Sequence, residues 1–501
     1  MMTRKFVIMA LCTCAIALAA WQAGTHAVVH AQHVPDWPQW GRTPQHTGSI
    51  KTVGQNPVEQ LADIMYDPFV AQEQQASGGE LLIHYQAPLI DGKGVFLEFK
   101  TGTYTGPDTW DTQIWNERAF AWVNGTLTQQ WNFQSDWKPE PNGAKLGLSG
   151  WEPVFHAALG SGVVYVPGFS GSVYELKETD GTMQQQFAPF GTTDANTFVS
   201  GPLTIDTHGD IYYNAVTMNA TSPYKKDIKG AWLVEITAAG QVQMVSYSVL
   251  VPNTVTMCGK YPCGSQRAGI NVAPAISADG KTIYTISRAH IVPVYTFVVA
   301  VNAADLTPKW HKSLRHPGGD ADNLGYVTDQ SSASPTATPD GGVLVGVLGN
   351  NGGRGYLDKF NVAGKYLASY DFGWDITPAI YVHDGTYSVI LKDNEYQTEG
   401  PYYITQLDAN LAVEWQYEDP TRDMNHPNGY EWCINAPAVD ENGTVYANSE
   451  DGNVYVINQG GTLKGNLFLQ SSVEAAYTPL ALGLDGKIYT ENDGDMFAIG
   501  N

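Results

Sequence analysis

Seven residues in this sequence are candidates for a ligand-binding site. Each comes just before a short apolar segment or in the irregular stretch leading into one: Trp151, Glu152, Asn271, Asp375, Glu431, Trp432 and Asn435. Indole rings can stack on a flat ligand, and carboxylate or amide groups can orient it by hydrogen bonds. Alternatively, the polar groups hydrogen-bond neighbouring loops and the tryptophans pack into local cores. The residue types leave both interpretations open.

Other spacings that could carry chemistry are incomplete. Gly168-Phe-Ser-Gly-Ser172 lacks the glycine spacing of a hydrolase nucleophile turn. The run Gly318-Gly-Asp-Ala-Asp-Asn323 alternates carboxylates, but Leu324 stands where a calcium loop needs a ligand. His311 and His316 are too isolated for zinc. The sequence therefore predicts no catalytic set and no metal site.

The cysteines favour an oxidising compartment. Cys258 and Cys263 flank a Gly-Lys-Tyr-Pro turn, which predicts a disulfide that closes a small loop. The alternative is half of a metal site, and it lacks a second Cys or His pair at suitable spacing.

The N-terminus has the pattern of an export signal. Arg4 and Lys5 precede an apolar run over residues 6–20, which is too short to span a bilayer, and Val29-His30-Ala31 suits signal cleavage. We predict a signal peptide over residues 1–31 and a secreted or periplasmic chain without a transmembrane segment. A lipoprotein anchor at Cys14 is disfavoured because Thr13 precedes it.

The charge of the chain excludes one class of partner. The formal net charge is −23, and loss of Arg4 and Lys5 with the signal would make it −25. Such a surface repels nucleic acid and anionic lipid.

A pattern of a proline, a short apolar strand, a tight turn and a second strand recurs eight times. Its prolines are Pro88, Pro153, Pro202, Pro274, Pro335, Pro378, Pro437 and Pro479. A small residue or threonine precedes seven of them. Asp-Gly pairs at five of the first turns suit β-hairpins. A third strand follows in each unit, and a fourth in seven units, so the sequence predicts an all-β, eight-bladed β-propeller of four-stranded antiparallel blades.

The missing fourth strand predicts how the ring closes. The eighth unit ends with its third strand at Asn501, and residues 58–66 resemble the other fourth strands. Pairing these two segments leaves no open edge at the joint. We therefore predict a propeller over residues 58–501, preceded by a lead-in segment over residues 32–57.

The connections between strands differ in length on the two faces of such a propeller. Turns between strands one and two, and between three and four, emerge on one side and are short; we call it the short-turn face. The other side, the long-loop face, receives the remaining connections, which include residues 101–117, 134–149, 248–271 and 418–433. Those loops are predicted to carry Trp110, Trp115, Trp137, Trp151, Trp432 and several acids. Because binding residues concentrate on loops held by a rigid scaffold, we expect the long-loop face to bind.

Two motifs resemble a known family. The segment Asp36-Trp-Pro-Gln-Trp-Gly-Arg-Thr-Pro-Gln-His-Thr-Gly48 and units such as Asp451-Gly-Asn-Val-Tyr-Val-Ile457 are similar to propellers of the pyrroloquinoline-quinone (PQQ) repeat type. That family contains quinoprotein dehydrogenases and non-catalytic bacterial propellers, so the resemblance implies PQQ and calcium as possible cofactors. The enzymes commonly carry an adjacent Cys-Cys pair, which this sequence lacks, and their calcium ligands have no matching positions here.

Three hypotheses follow. The preferred one is an exported, monomeric propeller that binds an unknown protein, small molecule or carbohydrate on its long-loop face and is not an enzyme. The first alternative is a PQQ- and calcium-dependent dehydrogenase. The second is a carbohydrate-active or carbohydrate-binding propeller.

Overall fold

Eight small antiparallel sheets and one two-stranded hairpin make up the strands of the described chain. The computed structural model describes residues 34–106, 110–139, 151–219, 227–252, 254–349, 355–373, 376–394, 400–471 and 479–501. The predicted signal peptide over residues 1–31 and the candidate Asp375 lie outside these ranges. Each sheet is one blade, and we number the blades in chain order.

Blades 1, 2, 6 and 7 each consist of four unbroken strands from one stretch of the chain. Blade 1 consists of Leu89–Asp91, Gly94–Gly102, Gln113–Val123 and Thr126–Gln134. Blade 2 consists of Ala158–Leu159, Val163–Pro167, Val173–Lys177 and Met183–Phe187. Blade 6 consists of Ala379–His383, Thr386–Asp393, Tyr403–Leu407 and Val413–Glu418. Blade 7 consists of Ala438–Val439, Val445–Asn448, Asn453–Asn458 and Thr462–Phe468.

In blades 3 to 5 the inner strand is split into two pieces that pair with the same second strand. Blade 3 consists of Thr197–Val199, Thr204–Ile205, Ile211–Thr217, Gly230–Ile236 and Val242–Ser246. Blade 4 consists of Gln266–Ala268, Ala275–Ile276, Thr282–Ala289, Thr296–Asn302 and Pro308–Ser313. Blade 5 consists of Gly325–Tyr326, Thr336–Ala337, Val343–Gly349, Gly355–Phe360 and Tyr366–Gly373.

The remaining elements are short. The separate hairpin pairs Met257–Cys258 with Tyr261–Pro262. The α-helices are Val70–Ser77 and Tyr247–Leu250, and the 3₁₀ helices are Trp110–Thr112, Phe169–Gly171 and Pro317–Gly319. None of the helices described here is long and apolar enough to span a membrane.

Blade 8 closes the ring with strands from both ends of the chain. It consists of Leu480–Leu482, Ile488–Asn492, Asp495–Gly500 and the N-terminal strand Glu59–Met65. The N-terminal strand runs antiparallel to the last one, from the pair Glu59 and Gly500 to the pair Met65 and Asp495. This confirms the predicted eight-bladed propeller and its mode of closure.

The lead-in segment circles the axis and hydrogen-bonds to all eight blades; we call residues 36–52 the axial segment. Trp37 exchanges two backbone hydrogen bonds with Ile90 of blade 1, both 2.9 Å. The Gln39 side chain forms two hydrogen bonds with the backbone of Ile205 in blade 3. Its Nε2 donates to the carbonyl oxygen at 3.0 Å, and its Oε1 accepts from the amide at 2.7 Å. The Leu484 amide of blade 8 donates to Asp36, at 2.9 Å.

Backbone amides of the other five blades donate to carbonyl oxygens of the axial segment. The pairs are Leu159 to Pro38 at 2.8 Å, Ile276 to Pro44 at 2.7 Å, Ala337 to Gln45 at 2.9 Å, Ile380 to Thr47 at 2.7 Å and Val439 to Gly48 at 2.8 Å. The approach to blade 7 requires glycine at position 48, because its φ is +58° and a β-carbon there would lie 2.5 Å from the Pro437 oxygen. Since these contacts lie at the ends of the inner strands, the axial segment closes the channel at the short-turn face.

Trp40 fills the centre of this channel. Its ring is buried against Ala87, Ala273 and Ala436, three of the small residues that precede blade prolines. Its Nε1 donates to Oγ1 of Thr377, another of these residues, at 3.3 Å. The small residues that recur before the prolines therefore leave room for one indole ring on the axis.

Part of the loop predicted over residues 101–117 is a strand. The third strand of blade 1 begins at Gln113, so Trp115 and Glu117 lie in the strand and not in a loop. Both side chains are buried, as are Trp110, Trp137 and Trp432. Burial of these side chains is what packing into local cores would require of the four tryptophans.

Replacing Trp40 tests the axial packing. We expect Trp40→Ala to lower the free energy of unfolding by about 3–5 kcal/mol, because it leaves a cavity where several blades meet. Calorimetry should show a melting temperature lower by several degrees. Leu463→Ala, at an exposed site in blade 7, is the control and should change it little. Equal melting temperatures for both variants would contradict the packing described here.

Candidate functional site

The mouth of the channel lies above Trp40 on the long-loop side. A narrow space there, too small for a water-sized sphere, is lined by Trp40, His84, Tyr85, Val154, Pro202, Asn271 and Ser332. Three of the predicted residues, Trp151, Glu152 and Asn271, meet around His84.

Hydrogen bonds from both sides hold His84 in place. Burial lowers its pKa to about 4, so the imidazole is neutral at physiological pH. Its Nε2 lies 3.1 Å from the Gln330 carbonyl oxygen, and its Nδ1 lies 3.2 Å from Nδ2 of Asn271. A neutral ring with its proton on Nε2 suits these two contacts, whereas the Glu152 carbonyl oxygen, 3.3 Å from Nδ1, would need the proton on Nδ1. The half-buried Trp151 ring lies 5.0 Å from this imidazole.

Asn271 and Asn435 connect blades. Oδ1 of Asn271 accepts from the backbone amide of Val154 at 2.8 Å, and the backbone amide of Asn271 donates to the carbonyl oxygen of Ser200 at 2.7 Å. Oδ1 of Asn435 accepts from the Thr377 amide at 2.8 Å, and its Nδ2 donates to Ser332 at 2.6 Å. Both buried side chains therefore join loops of different blades.

Glu431 and Trp432 lie in a separate cluster between blades 6 and 7. The Trp432 ring is fully buried and packs edge-on against Tyr455, with 5.2 Å between ring centroids. Oδ1 of Asn394 accepts from the Trp432 amide at 2.9 Å, and its Nδ2 donates to Glu431 at 3.3 Å. These two candidates thus anchor a loop and do not meet the other three.

Sequence reasoning missed a buried charged cluster beside Glu152. The Lys100 ammonium contacts Asp67 at 2.9 Å, Glu152 at 3.0 Å and Glu73 at 3.1 Å, and its side chain is fully buried. The Tyr85 hydroxyl donates to Asp67 at 2.9 Å. The cluster links the second strand of blade 1 to the segment after the closing strand and to the start of blade 2. Two charged residues, Glu98 and Lys100, in the otherwise apolar segment over residues 95–100 were the signal in the sequence.

Carboxylates outnumber cations in this cluster. Burial raises the pKa of Glu73 to about 8, although Lys100 opposes the shift. Burial also raises the pKa of Glu98 and of Glu491 well above the usual range, and each of the two has one buried oxygen without a hydrogen-bond partner. We conclude that several acids here hold their protons at neutral pH.

The described residues at the mouth do not fit PQQ with calcium. Ligand pockets usually measure about 300–1,000 Å³, whereas the space above Trp40 does not admit a water-sized sphere. Calcium takes 6–8 oxygen ligands, whereas Glu152 is paired with Lys100 and the amide oxygens of Asn271 and Asn435 accept from backbone.

The charged cluster predicts a distinctive pH dependence. The pKa of Glu73 is about 8 in the folded protein, against an ordinary value of 4.5. Between pH 4.5 and pH 8 the folded state therefore keeps a proton on Glu73 that the unfolded state has lost. The free energy of unfolding falls as pH rises through this range. We expect Glu73→Gln to remove this part of the decline, leaving the variant on the order of 1–3 kcal/mol more stable than the parent at pH 8. Unfolding by urea at pH 5 and pH 8 measures the effect.

The control is Glu59→Gln, at an exposed position, which should leave the pH profile unchanged. Parallel profiles for the parent and Glu73→Gln would contradict the raised pKa of Glu73.

Comparison with solved structures finds propellers of this design. A europium-containing methanol dehydrogenase is 9% identical, with a TM-score of 0.59, and the match covers 92% of this chain and 90% of the other. The quinohemoprotein alcohol dehydrogenase of Comamonas testosteroni is 12% identical, with a TM-score of 0.58 and coverage of 94% and 82%. The C-terminal WD40 domain of Sif2 is 10% identical, with a TM-score of 0.50 and coverage of 90% and 99%.

Sequence comparisons find no counterpart. No protein-family model matches the chain, and no curated protein matches it either. At these identities the structural likeness speaks for the fold alone. The chain has the PQQ-like, eight-bladed β-propeller fold.

Proposed function

We propose that this chain is an exported binding module that engages a protein partner through its long-loop face and is not an enzyme. The observation that carries the proposal is an exposed apolar hairpin on that face. The hairpin lies in the connection between blades 3 and 4, and its strands are Met257–Cys258 and Tyr261–Pro262.

The hairpin exposes apolar side chains to solvent beside Lys260 of its turn, whose Nζ lies 5.3 Å from the centre of the Tyr261 ring. The exposed fractions of Val255, Met257 and Tyr261 are 49%, 53% and 60%. Aromatic residues and methionine are enriched in protein interfaces, and truncation of a few such residues often removes most of the affinity. The tip therefore suits an apolar pocket on another protein.

The base of the hairpin is held in place. The predicted disulfide between Cys258 and Cys263 is present, with the two Cα atoms 5.1 Å apart. Cys263 is buried, and its carbonyl oxygen accepts from the amides of Ile291 and Val292 at 3.1 and 3.0 Å. A preorganised tip loses less conformational entropy on binding. The disulfide and the N-terminal pattern also support export.

The loop between blades 6 and 7 adds another exposed apolar residue to the same face. Met424 is 98% exposed, and the flanking loop is ordered by the Tyr430 hydroxyl, which donates to Asp423 at 2.7 Å. The His426 ring stacks on Tyr430, with 4.0 Å between centroids. Two ordered loops with apolar tips favour a broad protein surface over a small ligand.

The filled central channel also favours a protein partner over a small ligand. The axial segment and Trp40 fill the channel, and the cavity above them is small. The buried Trp110, Trp115, Trp137 and Trp432 cannot act as stacking platforms for a carbohydrate. For these reasons we favour a protein partner over the quinone and carbohydrate alternatives.

Site-specific photo-crosslinking tests the proposal in the native host. We expect a photoreactive residue in place of Tyr261 to give a discrete adduct with another protein. Val382, 61% exposed near a turn of the short-turn face, is the matched control and should give none. With the probe at Val255, the double variant Met257→Ser and Tyr261→Ser should reduce the adduct about tenfold or more. Equal adducts at both faces, or none at Tyr261, would overturn the proposal.

Titration with PQQ and calcium tests the dehydrogenase alternative. We expect no change in the quinone absorbance and no dye reduction with alcohols, because the described mouth lacks the space and the free oxygen ligands. Stoichiometric quinone binding with alcohol-dependent turnover would establish an enzyme instead.

A further inference from the structure

In blade 3 a single aspartate organises the turn between the inner and second strands, on the short-turn face. Oδ1 of Asp206 accepts from the amides of His208 and Asp210, at 2.8 and 2.9 Å. Blade 7 has the same turn, in which Oδ1 of Asp440 accepts from the amides two and four residues later, both at 2.9 Å. The backbone of this turn therefore recurs in the repeat and does not depend on His208 or Asp210.

The side chains of the two turns differ. Blade 7 has Asn442 and Thr444 where blade 3 has His208 and Asp210. One ligand atom from each of Asp206, His208 and Asp210 lies within 4.8 Å of the other two. Zinc–ligand bonds of about 2.0–2.2 Å place such atoms slightly closer together, so a small movement of the exposed His208 side chain suffices.

A buried acid faces the same place from the third strand of blade 3. Glu235 is 4% exposed and pairs with Tyr212 across the strands. Its Oε1 accepts from the Tyr212 hydroxyl at 3.0 Å, whereas its Oε2 is buried without a partner. The corresponding pair in blade 7 is Tyr446 and Val456. Since an unsatisfied buried carboxylate oxygen destabilises the fold, a valine would serve packing better here.

These four residues line one cavity. It measures about 660 Å³, lies between blades 3 and 4, and has Lys281 and Lys309 on its opposite wall. Lys309 donates to the Lys281 carbonyl oxygen and to Thr282, at 2.9 and 2.6 Å. Among the described residues, no lysine or arginine forms an ion pair with Asp206, Asp210 or Glu235. Within the wall itself, Nδ1 of His208 lies 3.2 Å from Oδ2 of Asp206, so the imidazole already faces the carboxylate that a metal ion would share with it.

We propose that this wall binds one divalent transition-metal ion, of which zinc is the representative, through Asp206, His208 and Asp210, with Glu235 as its buried counter-charge. An imidazole beside carboxylates suits zinc better than calcium, which prefers oxygen ligands alone. The Ala238 amide, which donates to Oδ1 of Asp210 at 2.7 Å, orients one ligand, as is usual around bound metals. The site lies on the face opposite the proposed partner surface and does not depend on that proposal.

The fold itself supplies the matched variant. His208→Asn with Asp210→Thr copies the turn of blade 7 and should keep the melting temperature of the metal-free protein. Calorimetric titration of the chelator-treated full chain with zinc chloride should show one ion per chain for the parent. We expect affinity to fall at least about a hundredfold in the double variant and about tenfold in Glu235→Gln.

A surface His–Asp pair without a third ligand provides the control. His426→Asn, beside Asp423, should leave zinc binding unchanged. Absence of stoichiometric uptake by the parent, or equal affinity in the parent and the double variant, would overturn the proposal.

Discussion

The inner strands of a propeller face a channel with backbone groups that need hydrogen-bond partners, and the axial segment supplies them. Residues 36–52 bind at least one backbone group in every blade. Buried amides and carbonyls without partners are costly, so the eight blades depend on a segment that no blade contains. The closing strand follows directly, so the same stretch of chain both lines the axis and completes blade 8.

This constraint determines where binding can occur. Trp40 occupies the space on the axis, and the small residues before the blade prolines accommodate its ring. Above it, Asn271 and Asn435 join loops of different blades, while Lys100 holds three carboxylates. The mouth is therefore a rigid junction, which leaves the outer loops on one face and the blade 3 cleft on the other as the places that differ from the repeat.

Sequence reasoning succeeded where the repeat itself carries the information. The prolines, hairpin turns and orphan strand predicted the blades and the closure, because each unit repeats the same local pattern. It failed for Trp115 and Glu117, because an apolar strand and a loop rich in aromatic residues look alike without knowledge of burial. Glu152 and Asn271 stand before inner strands in the sequence, but their side-chain partners Lys100, Val154 and His84 come from other parts of the chain that no local pattern connects to them. Asp206, His208 and Asp210 have a visible spacing, whereas Glu235 joins them only across the sheet.

Hydrogen exchange at the inner strands tests the dependence on the axial segment most directly. The amides of Ile276, Ala337, Ile380 and Val439 each donate to a carbonyl oxygen of that segment. We expect these amides to exchange as slowly as those in the buried second strands of the blades. Exchange as fast as in the exposed loop around Met424 would show that the axial segment does not hold the ring, and would contradict this account.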